Sequence, residues 1–157
     1  KYLGEVVNQL RQESNRIWIR PELMGKPSEF GTLEEILNLS TEIDGVAPCV
    51  DFAHWHARTG EANSYQEFAS TLSQIEERLG RDALNNMHIH MSGIEYSKKG
   101  ERKHLKLEES DLRYTEIVQA LSDYQVKGMV ICESPRQNME EDALLLQKTY
   151  HSLMKPA

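Results

Sequence analysis

The chain reads as an α/β protein of consecutive βα units, about half of a (β/α)8 TIM barrel. Three observations lead there. Four short apolar runs rich in β-branched residues are each followed by a loop and a stretch of helical periodicity, the pattern of a parallel sheet covered by helices. An ionisable residue stands at or just beyond the end of each run, where a barrel of this kind builds its active site. Finally, 157 residues, 39% hydrophobic and 27% charged, suffice for one compact domain, and no Gly/Ser linker or low-complexity tract divides them. A single domain over 1–157 is therefore expected.

The strands are expected at 16–20 (Arg16-Ile17-Trp18-Ile19-Arg20), 46–51 (Val46 to Asp51), 87–91 (Met87-His88-Ile89-His90-Met91) and 128–133 (Gly128 to Glu133). Their helices are expected at about 32–43, 65–79, 110–124 and 137–153, with starts marked by Thr32, Ser64 and Ser110. Leu33, Ile36 and Leu37, then Ile117, Val118 and Leu121, and later Leu144, Leu145 and Leu146, read as helix faces packed on the sheet. Gly4 to Ser14 looks like the tail of a preceding helix, which implies a strand upstream. Four βα units cannot close an eight-stranded barrel, so an N-terminal half-barrel, a second copy or a partner chain is expected to complete it. The initial Lys1, in place of Met, is consistent with a fragment.

No run approaches the eighteen or so apolar residues of a membrane span, and no leader-like start is present, so a cytoplasmic protein is expected. Cys49 and Cys132 lie in apolar runs and form no CxxC pair; they read as reduced core thiols, with neither a disulfide framework nor a thiolate metal site suggested. The net charge of −7 argues against a broad basic surface for nucleic acid, although clustered cation-binding carboxylates contribute to that count. The basic stretch Lys98 to Lys106, read as a loop, is the local exception.

The strand ends hold the chemistry. Glu22 follows the first run, Asp51 ends the second with His54 and His56 after it, and Glu133 ends the fourth. His88 and His90 alternate on the third and so face one side. Carboxylates and imidazoles converging from neighbouring strands make a mixed oxygen and nitrogen set that suits zinc, manganese or iron(II), and a cation would relieve their mutual repulsion. Each residue also has a plain structural reading: Glu22 a loop ion pair, Asp51 a helix or turn cap, one of His88 and His90 a core histidine, Glu133 loop surface. His104, beside Glu101 and Arg102, reads alone as a surface histidine.

Together these residues resemble the endonuclease IV family, the type 2 AP endonucleases of the xylose-isomerase-like barrels. From about Arg16 onward they match the second half of that barrel, the last four βα units. Glu22, Gly25 and Gly31 resemble its Glu-plus-Gly loop, Asp51 and His54 its Asp-x-x-His motif, His90 and His104 its strand histidine and later acidic-x-His loop, and Glu133-Ser134-Pro135 its terminal Leu-Glu-Thr-Pro-like strand. The resemblance implies a zinc cluster, with Glu22, Asp51, His90 and Glu133 holding one ion and His54 and His104 contributing to another. Glu101-Arg102-Lys103-His104 is one residue longer than the family's Asp-Arg-His, which makes Glu101 a candidate replacement for the aspartate, and His88 remains a candidate beside His90. The family's Gln-rich loop is here Gly25-Lys26-Pro27, and two histidines from its first half have no counterpart. The implied reaction is hydrolysis of the phosphodiester 5′ to abasic sites in DNA, with Glu22 and Glu133 at the catalytic centre and Lys98, Lys99, Arg102 and Lys103 on the DNA backbone. The alternatives are a sugar isomerase or epimerase of the same superfamily and a non-catalytic metal-binding half-barrel.

Overall fold

The computed structural model describes residues 2–153; Lys1 and 154–157, the ends of the expected domain span, lie outside the described residues. In chain order the elements are α1 (Tyr2–Gln12), α2 (Leu33–Glu42), β1 (Cys49–Asp51), α3 (Phe52–Thr59), α4 (Tyr65–Leu79), α5 (Arg81–Leu84), β2 (Met87–Met91), β3 (Gly93–Ser97), β4 (Gly100–Leu105), a 3-10 turn at Leu107–Glu109, α6 (Tyr114–Asp123), β5 (Gly128–Cys132) and α7 (Met139–Leu153).

β1, β2 and β5 form a parallel sheet in that order. Strand alternation sorts their side chains between two faces. Val50, Ile89 and Met91 are buried on the outer face with Ile36 and Leu37 of α2, Phe68, Leu72 and Ile75 of α4, and Ile117 of α6. On the other face the register sets Cys49 opposite His88 and Asp51 opposite His90, with Met129 and Ile131 of β5 continuing the two rows. This is the α/β, partial-barrel arrangement expected from the sequence. β5 is the edge: Met129 and Val130 are 58% and 49% exposed.

The run 16–20 is not a strand. Its segment is paired beside the sheet by two isolated parallel bridges, Ile19 with Val46 and Glu22 with Cys49. Ile19 N–H donates to Gly45 O and Leu23 N–H to Cys49 O, but Pro21 between them has no N–H to continue the ladder, and Pro48 has none to offer β2 on the other side of the facing segment. β1 is shortened to its last three residues for the same reason. Three further expectations are corrected. The residues after Asp51 form α3, not a loop, because the Asp51 carboxylate caps the helix on the His54 amide at 2.7 Å. The basic stretch is the turn and second strand of an antiparallel hairpin, β4 paired with β3. Ser110 does not start α6: its hydroxyl bonds both backbone groups of Ile94 and accepts from Leu112, so the helix begins at Tyr114.

α2 is capped at the expected Thr32, which forms a capping box with Glu35, and α4 keeps the expected bounds 65–79, whereas α7 starts at Met139. Leu33, Val118, Leu121 and Leu146 are buried, but Leu144 is 57% exposed, since three consecutive helical positions cannot all face one side. Cys49 and Cys132 are free thiols. No helix among the described residues is long and apolar enough to cross a membrane.

Candidate metal centre

Parallel register delivers the first group. Asp51 ends β1, His90 stands opposite it on β2, Glu133 follows β5 with its amide on Met91 O at 2.9 Å, and Glu22 is brought in by its bridge to Cys49. His90 Nδ1 lies 3.0 Å from Glu22 Oε1 and 3.2 Å from Glu133 Oε1. One donor atom from each of Glu22, Asp51, His90 and Glu133 lies within 4.8 Å of the others, compact enough to share a cation.

The second group joins Asp51 to His54 of α3 and His104 of β4, again within 4.8 Å. His54 Nδ1 faces Leu23 O at 3.0 Å and Glu22 Oε1 at 3.2 Å, and His104 Nδ1 faces Glu133 O at 2.9 Å. Carbonyls only accept, so both Nδ1 atoms carry the proton and each neutral ring keeps its lone pair on Nε2. Those two Nε2 atoms stand 3.1 Å apart, and Glu101 Oε2 is 2.9 Å from that of His54. Three acceptors facing one another need a proton or a cation between them.

Charge in the metal-free centre follows from this crowding. Burial lifts Asp51 to about 6, against the pull of His54. Burial opposes charge on His54, but the hydrogen bond to Glu22 and the carboxylates of Asp51 and Glu101 outweigh it and raise its pKa to about 9. Glu22 is held below its ordinary value by the hydrogen bond from His54, partly countered by burial, with His90 adding to the lowering. His88 is lowered by burial and by the His90 charge.

Several supports were not legible in the sequence. The Arg58 guanidinium donates to the carbonyls of Met24, Lys26, Pro27 and Glu29 at 2.8–3.3 Å and so clamps the loop after Glu22. Gly25 in that loop lies flat against the Glu101 carboxylate, leaving no space for a Cβ. Buried Asp142 accepts from Ser134 at 2.5 Å and from the Leu107 amide at 2.8 Å, tying the segment after Glu133 to the end of the hairpin. His56 stays out of the centre: it sits 3.2 Å from Asp111, which also accepts from Tyr96 of β3 at 2.8 Å. The signals were an arginine on an unrecognised helix and an aspartate inside the first turns of α7.

His88 lies opposite Cys49, not among the carboxylates, and forms a third group with Cys49 and His90. Lys98 and Lys99 are exposed at the hairpin turn. Arg102 and Lys103, also exposed, each reach Glu95 at 3.1 Å, exposed pairs worth little to stability.

Comparison with known proteins agrees with this architecture. The chain is 44% identical over 152 residues to the uncharacterized protein MJ0133 of Methanocaldococcus jannaschii, covering 96% of this chain and 55% of that protein. It superposes on the crystal structure of AsfvAP:AG with a TM-score of 0.61 at 18% identity, covering 88% of this chain and 53% of that one, a likeness of fold. The chain thus spans about half the length of both. Residues 1–150 match the family model AP_endonuc_2, and the chain belongs to the xylose isomerase-like TIM barrel family.

Proposed function

We propose that this chain supplies the ligand-rich half of a metal-dependent endonuclease that hydrolyses the phosphodiester 5′ to abasic sites in DNA. One observation carries the reading. Two compact donor groups, Glu22, Asp51, His90 and Glu133 on one side and Asp51, His54 and His104 on the other, adjoin through Asp51, and the second contains facing lone pairs that a cation would satisfy. The donor set, carboxylates with imidazoles, fits zinc, with manganese or iron(II) as competitors. Zinc-type ions held there supply Lewis-acid charge and an activated water for phosphate-ester hydrolysis.

The chain's own groups have distinct parts. Glu22, within 3.2 Å of His54 and 3.0 Å of His90, stands between the two donor groups and with Glu133 borders the reacting phosphate. Glu101, against His54, takes the second group's acidic position. Lys98, Lys99, Arg102 and Lys103 on the hairpin contact the DNA backbone, a local basic feature on a chain of net charge −7. Free Cys49 and Cys132 fit a cytoplasmic setting.

The test is elemental analysis of the complete protein and of Glu133→Gln, alongside cleavage of an abasic-site duplex. Two or more zinc ions, with cleavage reduced by about 100-fold in the variant, the upper range for disturbing a metal's surroundings, is the expected result. One ion, no cleavage and turnover of a ketose would assign a sugar isomerase or epimerase instead. Metal without any turnover would leave a non-catalytic half-barrel, and no metal at all would sink every metal-based reading.

A further inference from the structure

Below the carboxylates the same two strands carry a different donor set. Cys49 precedes Asp51 by two residues and His88 precedes His90 by two, so both point to the inner face about 6.6 Å nearer the strand beginnings. The register puts Cys49 and His88 side by side, the His88 and His90 rings stand 5.2 Å apart, and one donor atom each of Cys49, His88 and His90 lies within 4.8 Å of the others.

We propose that Cys49 Sγ, His88 and His90 form a separate site for a borderline-soft cation, zinc or copper(I). One sulfur and two imidazole nitrogens, with no oxygen donor, select such ions over magnesium, calcium or manganese. His90 can serve this site because its Nδ1 faces the two carboxylates at 3.0 and 3.2 Å, which leaves the lone pair on Nε2 for the lower ion. Binding exchanges the S–H bond of Cys49 for a sulfur–metal bond, and the proton leaves to solvent. His90 has one lone pair as a neutral ring, so an ion taken by its Nδ1 in the upper group leaves the proton on Nε2. The lower ion then keeps only Cys49 and His88 unless that ring proton is also released to solvent, and filling the upper group therefore weakens the lower one. The site requires nothing of the phosphodiesterase reading beyond that shared ring.

Cobalt(II) is the probe, since thiolate ligation gives a near-ultraviolet sulfur-to-cobalt charge-transfer band that carboxylate and imidazole ligands do not. The complete metal-free protein titrated with cobalt should develop this band. Cys49→Ser should abolish it while cobalt still binds the upper group. His88→Asn, at a half-buried position that tolerates a polar residue, should keep the fold and weaken the band's midpoint by at least about tenfold. Glu133→Gln should leave the band intact, so that loss of endonuclease activity and loss of this site are told apart. No band at saturating cobalt in the folded wild type, a band surviving Cys49→Ser, or an unchanged midpoint in His88→Asn would each overturn the proposal.

Discussion

One carboxylate oxygen of Asp51 accepts the His54 amide at 2.7 Å while the other faces the His54 ring at 3.4 Å, so a helix cap and a candidate ligand are the same residue. The cap was readable as a bland alternative in the sequence, and both readings hold in the geometry because the cap uses only one oxygen. The titration of this pair has a definite sign. His54 is raised from 6.5 to about 9, so in the metal-free protein its stabilisation is complete below pH 6.5 and is lost as pH rises through 9. Asp51, raised from 3.8 to about 6, binds its proton more tightly when folded, so its ionisation also lowers stability as pH rises from 3.8 towards 6. Thermal unfolding of metal-free protein should therefore show a lower Tm at pH 9 than at pH 6.5, whereas zinc affinity should rise over that interval as the His54 proton ceases to compete. Equal Tm values would mean that His54 is not held charged. At Gly25, Gly25→Ala should displace Glu101 and deplete the ion nearest His54 while sparing the other, a loss of one metal equivalent by elemental analysis.

Among elements, β2 was legible to the residue because Met87, Ile89 and Met91 alternate strictly with His88 and His90, and α4 was legible from its unbroken apolar stripe. The hairpin was not, since Lys98 to Lys106 has the composition of a solvated loop and its strand pairing is dictated by contacts elsewhere. That miss mattered for the candidate site: Glu101 and His104 are placed by β4, and their convergence on His54 depends on a pairing no local pattern announces. α3 was hidden because it begins directly at the end of β1, and with it the role of Arg58. Arg58→Met should cost about 2 kcal/mol in urea unfolding, the scale of charge-assisted hydrogen bonds lost, and should loosen the Glu22 loop. On the hairpin turn, Lys98→Ala with Lys99→Ala should reduce the salt slope of DNA binding by up to about 1.8, since each phosphate contact contributes roughly 0.9. A slope unchanged would place the DNA elsewhere.

For the molecule as a whole, the parallel sheet stops at β5 with Met129 and Val130 exposed, while on the opposite side Ile17 and Trp18 are 57% and 48% exposed. Apolar side chains at an open edge invite another strand, and the chain spans about half of its relative. Residues 1–157 expressed alone should associate in a concentration-dependent way by analytical ultracentrifugation, and a strictly monomeric species would show that this half is self-sufficient. Asp51, His90 and Glu133 come from strands about forty residues apart in sequence, so their proximity exists only once the sheet is in register. Contacts so far apart in sequence close their loops at an entropic cost and are expected to form late on the folding path. Zinc should accordingly act as a brake on one side of the barrier alone: in stopped-flow kinetics it lengthens the lifetime of the native state and leaves the refolding rate where it was.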